Sequence, residues 1–102
     1  MWKPDTFKEF LTRPVPPSGT KQWSAWQLEC REFGPDAVDV ALDALENGSE
    51  NEQYVAVLAL RLFGYEADAE GYDEELVYRV RAPDEQESRM ITPILNPTPY
   101  TP

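Results

Sequence analysis

The residues best suited to chemistry in this sequence are carboxylates, and one group of them falls at helical spacing. At i, i+3, i+7 and i+10 the chain carries Asp36, Asp39, Asp43 and Glu46. At about 100° per residue, these four side chains share one face of a helix. A continuous acidic face of this kind can steer and bind a basic protein. We therefore take these four residues as the candidate partner-binding site, with a merely solvated face as the alternative interpretation.

A second group of carboxylates lies in the segment EADAEGYDEE. Glu66, Asp68 and Glu70 alternate in the way that the first half of a calcium-binding loop does. Such a loop begins with Asp and closes with a bidentate Glu at its twelfth position, which is Val77 in this chain. We therefore predict a solvated acidic loop over 65–75, and neither a metal ion nor a cofactor.

Most enzymatic chemistry is excluded by the residue types that the chain lacks. It has no His and a single Cys, so Ser-His or Cys-His nucleophile pairs and Cys/His zinc sites cannot form. Cys30 falls on one apolar stripe with Trp23, Trp26 and Phe33, where a thiol behaves as a small hydrophobe. A glycosidase-like carboxylate pair needs a cleft that 102 residues build with difficulty. We therefore expect no enzyme and no catalytic residue.

The net charge of −10 is concentrated in the middle of the chain. From Glu32 to Glu75 there are thirteen acidic residues and one basic residue, Arg61. Nucleic acids and anionic membranes are polyanions, so we expect neither as a partner. A basic protein is the natural complement, although acidic surface also serves solubility alone. We find no apolar segment of bilayer length and no signal-peptide core, and we predict a cytoplasmic protein.

Periodicity and capping signals give the elements that must position these residues. From the N-terminus, the predicted segments are a short helix at 4–12, a Pro-rich loop at 13–20, helices at 21–33, 35–46 and 50–63, the acidic loop at 65–75, a β-hairpin at 76–95 and a Pro-rich tail at 96–102. Residues 1–20 are thus an N-terminal part and 21–64 a helical core. We predict a single α+β domain over 1–102, with about four helices and a C-terminal β-hairpin.

The fourth predicted helix carries the clearest local signals. Ser49 followed three residues later by Glu52 predicts a capping box at its start. Gly64 is predicted to end this helix. Between them, YVAVLALRLF is apolar on nearly every side, so we expect burial on several sides. Leu58 is then predicted to belong to the core.

After the acidic loop, the apolar period changes from 3.6 to 2, which predicts strands at 76–81 and 88–94. An isolated hairpin is marginally stable in water, so it must pack on the helices, and the fourth helix offers apolar surface for it. Arg79, Arg81 and Arg89 then form a basic cluster on the outer side of the hairpin. This cluster either offsets the acidic loop or binds an anion or a partner.

Two helix ends, thirty residues apart, echo one another. LECREFG at 28–34 and LALRLFG at 58–64 share Leu, Arg, Phe and Gly in register, which suggests a repeated helical pair. The stretch 36–64 resembles a HEAT-like repeat of the short, phycobilisome-lyase-type variant, with a partial echo at 23–34. The resemblance implies a helical protein-binding scaffold. Members of that family that carry metal sites use His, which this chain lacks, and no lyase activity is transferred.

Two functions of different classes follow from these observations. The first is a non-enzymatic protein–protein interaction module. The second is an acidic inhibitor or immunity-type protein, which blocks a basic partner such as a nuclease toxin by placing carboxylates where phosphates would bind. The partner, the process and the oligomeric state are not encoded in any pattern of this sequence.

Overall fold

Helices come first and strands last in the residues that the computed structural model describes, which are 4–34, 37–71 and 76–94. In chain order these elements are α1 Pro4–Phe10, α2 Lys21–Glu32, α3 Ala37–Asn47, α4 Glu50–Leu62, β1 Glu66–Glu70, β2 Val77–Arg81 and β3 Arg89–Ile91. The α+β class with C-terminal strands is therefore confirmed, and the helices lie where the sequence predicts them. The predicted tail at 96–102 lies outside the described residues.

The predicted acidic loop at 65–75 is wrong over Glu66–Glu70, which form strand β1. This strand pairs antiparallel with β2, and β2 pairs with β3, so the sheet has the order β1-β2-β3. The predicted hairpin is thus part of a larger sheet, and its second strand is shorter than 88–94. Asp and Glu have low strand propensity, but opposite charges facing each other across a sheet outweigh that preference.

The core forms where the helices meet. Helix α4 packs on α2 and α3, and α1 packs on α3. Trp26 and Cys30 are buried, and Trp23 and Phe33 pack against the same cluster, which confirms the predicted apolar stripe of α2. Phe10 of α1 stacks on Trp26 with ring centroids 5.5 Å apart. The aromatic side chains of α1 and α2 thereby close one end of the core.

The sheet lies on α4 mainly through β1, and β2 of the predicted hairpin reaches α4 through the hydrogen bond from Tyr78 to Gln53. Tyr78 and Val80 of β2 are buried and face the helices, whereas Arg79 between them is exposed. Ala67 of β1 is also buried on the helix-facing side. This alternation, apolar inward and charged outward, is typical of a sheet with one packed face.

The two echoed helix ends share one type of cap. Gly34 and Gly64 follow α2 and α4 with φ of 75° and 94°. The amides of Gly64 and Tyr65 donate back into the last turn of α4 at 3.1 and 2.9 Å, the Schellman arrangement. Gly34 repeats the first of these bonds at 3.1 Å, and Pro35, which follows it, has no N–H to give the second. A common way of ending a helix thus accounts for the Gly of the echo.

Candidate protein-interaction surface

Three of the four predicted site residues lie together on the exposed face of α3. Asp39, Asp43 and Glu46 are exposed, while Leu45 on the opposite face is fully buried. The helix is therefore amphipathic in the way its sequence predicts. The fourth residue, Asp36, lies outside the described residues.

These three carboxylates form no ion pair with any residue that the structure describes. In the described part of the chain, no Lys or Arg nitrogen lies within 4.0 Å of Asp39, Asp43 or Glu46. Asp43 accepts a hydrogen bond from the side-chain amide of Asn47 at 2.8 Å, which leaves its charge in place. Like charges three and four residues apart on a helix repel each other by a few tenths of a kcal/mol per pair. The stripe is thus a mild electrostatic cost to folding.

The carboxylates of β1 are arranged in the opposite way, since each one meets an arginine. The ion pairs are Glu66–Arg81 at 2.7 Å, Asp68–Arg61 at 2.9 Å and Glu70–Arg79. The hydrogen bond from Arg81 lowers the pKa of Glu66 below its ordinary value. Among the described residues, no three potential ligands gather closely enough to hold a metal ion. The outer face of the sheet is therefore a ladder of balanced charges.

Asp43 stands on a ridge between two surface hollows. The first hollow lies between α3 and β3 and is lined by Leu42, Asp43, Glu46, Arg89, Met90 and Ile91. The second lies between α1 and the junction of α3 with α4, where Lys8, Val40 and Glu52 also contribute to its lining. Asp43 is therefore accessible from both sides.

The first hollow brings apolar surface next to the acidic stripe. Leu42 and Ile91 are partly buried there, whereas Met90 faces the outer side of the sheet, opposite Arg79 in the register. Ile94, which is 78% exposed, donates its amide to the carbonyl of Glu46 at 2.7 Å, which holds the segment after β3 against the end of α3. Exposed apolar residues rimmed by charges mark interaction sites on protein surfaces. We call this set of residues the α3 surface: Asp39, Asp43, Glu46, Leu42, Ile91 and Ile94.

The predicted basic cluster does not lie on one face of the sheet. Arg79 and Arg81 lie on the outer face, where they offset the acidic strand, as one of the two interpretations proposed. Arg89 stands opposite Val80 in the register of β2 with β3, which puts it on the helix-facing side. There it lines the hollow beside α3. The placement of Arg89 was wrong because the register depends on the turn, which the alternation within β3 does not reveal.

A second apolar surface, missed in the sequence, lies on α4. This helix is buried against α2, α3 and β1 as expected, but Tyr54 is 58% exposed, and Leu58, which we predicted to belong to the core, is only partly buried like Val57. These residues line an open groove of about 370 Å³ between α4 and the sheet. We call it the α4 groove, lined by Tyr54, Val57, Leu58, Ala69, Leu76 and Tyr78, with Glu50 and Arg61 at its rim. In the sequence, this surface is indicated by the apolar residues on nearly every side of α4, which are more than one packed face requires.

Cys30 is not placed for chemistry. It is fully buried, and burial raises the pKa of its thiol from 9.0 to about 12. A thiol with such a pKa is neutral at physiological pH, and the neutral form is neither a nucleophile nor a metal ligand.

Comparisons with known proteins give no relative: the chain matches no family model, no curated protein and no solved structure. The HEAT-like resemblance over 36–64 therefore stays a prediction. In the ranges that the structure covers, no helix combines the length and the apolar content needed to cross a membrane.

Proposed function

We propose that this protein is a non-enzymatic interaction module that binds a basic protein partner through the α3 surface. The observation that supports the proposal is the contrast between two sets of carboxylates. Those of β1 are each paired with an arginine, whereas those of α3 face solvent and form no ion pair among the described residues. The carboxylates of the α3 stripe are thus available to a cationic partner.

The chemistry of the partner follows from the two components of the α3 surface. Lysine or arginine side chains complement Asp39, Asp43 and Glu46, and they accelerate association by electrostatic steering. An apolar side chain beside them covers Ile94, which is 78% exposed and hydrogen-bonded to the backbone of Glu46. The inhibitor hypothesis uses the same carboxylates, and it adds that binding blocks an activity of the partner.

A charge-reversal experiment with a matched control tests this proposal. The partner is first recovered from the native source with the immobilised wild-type protein, and its association rate is then measured at low and high salt. We expect D43K/E46K to slow association at low salt by about tenfold or more, and the loss to shrink as salt rises.

The matched control is D84K/E85K, at the exposed turn between β2 and β3. It changes the net charge by the same amount, so a response to overall charge affects both variants equally. We expect this control to slow association by less than about threefold, since steering depends on where the charges lie. Equal losses in the two variants would refute the α3 surface as the docking site. An assay of the partner's own activity in the complex separates a scaffold from an inhibitor.

We further propose a cytoplasmic location, which the sequence analysis predicts. Fractionation of the source cells followed by immunodetection tests it. Recovery of the protein in a membrane or secreted fraction would contradict it.

A further inference from the structure

The α4 groove presents apolar surface that the described parts of the chain leave open. Val57, Leu58 and Leu76 are partly buried along it, and Tyr54 stands 58% exposed at its side. Its volume of about 370 Å³ falls in the range of sites that receive apolar ligand groups. Tyr78 closes the floor, where its hydroxyl donates to Gln53 at 2.7 Å. The hydroxyl of Tyr78 therefore already has a hydrogen-bond partner, and the surface that faces the opening of the groove is mainly hydrocarbon.

The charges at the rim of the groove are unequal. Arg61 is held at one end, where it donates to the carboxylate of Asp68 and to the carbonyl of Ala67, both at 2.9 Å. Glu50 stands at the other end, and no cation of the described residues lies within 4.0 Å of its carboxylate. Glu50 lines the same groove as Tyr78, and burial followed by the charge of Glu50 raises the pKa of the Tyr78 hydroxyl. The charge open to a partner is thus negative and lies at the Glu50 end.

The same geometry decides between a strand and a helix as the occupant. Adding a strand at the outer edge of β1 requires free backbone groups, but the side chain of Arg61 occupies the carbonyl of Ala67. A groove alongside a helix instead receives an amphipathic helix, whose side chains at i, i+3, i+4 and i+7 enter it. From Glu50 to Arg61 the axis of α4 extends about 16 Å, or three helical turns.

We propose that the α4 groove is a second docking surface, which binds an amphipathic helix of a partner protein with a Lys or Arg at the Glu50 end. The inference goes beyond the proposed function, because it concerns a different face, a different secondary structure and a different set of residues. The α3 surface and the α4 groove fail or succeed independently.

The probe is a synthetic 14-residue helical peptide of Leu, Ala and Lys with leucines at i, i+3, i+4 and i+7. Its control has the same composition in an order that destroys the apolar face. Binding to the ¹⁵N-labelled protein is followed residue by residue through amide chemical shifts. We expect saturable shifts in α4 and β1 with the amphipathic peptide, and shifts at least about fivefold smaller with the scrambled one.

Two matched single charge reversals locate the contact. Glu50→Lys should weaken peptide binding by about tenfold, whereas Asp84→Lys, the same charge change at the exposed turn between β2 and β3, should alter it by less than about twofold. Tyr54→Gln changes an exposed side chain and provides a variant with little risk to folding; it should weaken binding by about fivefold or more. Circular dichroism verifies that each variant is folded.

Several outcomes would overturn the proposal. They are shifts confined to α3, equal binding of the scrambled peptide, a loss with Asp84→Lys as large as with Glu50→Lys, or no saturable binding at all. Shifts confined to α3 would overturn the α4 groove and still agree with the α3 surface, so the two proposals remain distinguishable.

Discussion

The hydroxyl of Tyr78 on β2 donates a 2.7 Å hydrogen bond to the side-chain oxygen of Gln53 on α4, inside the protein. Gln53 is fully buried, and its side-chain nitrogen donates to the carbonyl of Gly48 at 3.0 Å. One amide thus joins the sheet to the turn between α3 and α4. A buried polar group that loses a hydrogen bond costs about 1–3 kcal/mol, so this contact fixes the sheet on the helices.

Removing the hydroxyl of Tyr78 should therefore destabilise the fold. We expect Tyr78→Phe to lower the free energy of unfolding by about 1–2 kcal/mol, measured by urea denaturation. Tyr54→Phe removes the same atom from an exposed tyrosine and should change it by less than about 0.5 kcal/mol. Similar losses in the two variants would show that the bond to Gln53 contributes little.

Two leucines on α4, two positions apart, should respond differently to truncation. Leu60 is fully buried, and Leu60→Ala should cost about 2–5 kcal/mol, the usual range for a core leucine. Leu58 is only partly buried beside the α4 groove, so Leu58→Ala should cost about 1–2 kcal/mol. Urea denaturation of both variants measures the difference. If Leu58→Ala costs as much as Leu60→Ala, the groove is closed in solution.

Charge reversals at the two ends of α3 should shift stability in opposite directions. Glu46 lies near the C-terminal end, where the helix dipole favours a cation, so Glu46→Lys should stabilise by a few tenths of a kcal/mol. Asp39 lies in the first turn, so Asp39→Lys should destabilise by about as much. Thermal unfolding at low salt compares the two, and high salt should reduce both effects. Shifts of the same sign would mean that the dipole does not govern them.

The thiol of Cys30 should resist modification while the protein is folded. Burial raises its pKa to about 12, and only the accessible thiolate reacts. With DTNB at pH 8, we expect reaction roughly 100-fold or more slower than in urea, because it requires an opening of the structure. Rapid reaction in native buffer would contradict the burial of this residue.

The same thiol gives stability an alkaline limit. Its pKa is about 12 in the folded protein and near 9.0 when unperturbed, so its contribution is complete below pH 9 and is lost as pH rises from 9 toward 12. Urea denaturation at pH 8 and at pH 10.5 should therefore show a larger decrease for the wild type than for Cys30→Ala. Tyr78, whose pKa burial also raises, acts in the same direction in both proteins and cancels in the comparison. Equal decreases would mean that Cys30 ionises as readily in the folded chain.

The features that sequence predicts well here are those whose signals are local. Ser49 accepts from the amide of Glu52 at 3.2 Å, and the Glu52 side chain accepts from the amide of Ser49 at 3.1 Å. This capping box needs only four consecutive residues, and the amphipathic stripe of α3 needs only one helix. The capping box and the stripe were predictable because all the groups that form each of them lie within a few turns of a single helix.

The features that sequence did not reveal depend on distant partners. Strand β1 depends on its pairing with β2, in which Glu66 faces Arg81 fifteen residues away, and its acidic composition alone indicates a loop. The side of the sheet on which Arg89 lies depends on a register set by a turn. The open face of Leu58 depends on how far the sheet covers α4. In each case, the deciding contact is made between elements.

The ion pairs on the sheet and the unpaired stripe on α3 distribute compensated and uncompensated carboxylates unevenly over the described surface. Arginines compensate Glu66, Asp68 and Glu70, whereas no ion pair among the described residues involves Asp43 or Glu46. A cationic partner at a distance is therefore attracted more strongly by the carboxylates of α3 than by those of β1. Within about a Debye length, this difference favours approaches in which α3 faces the partner before any two atoms touch.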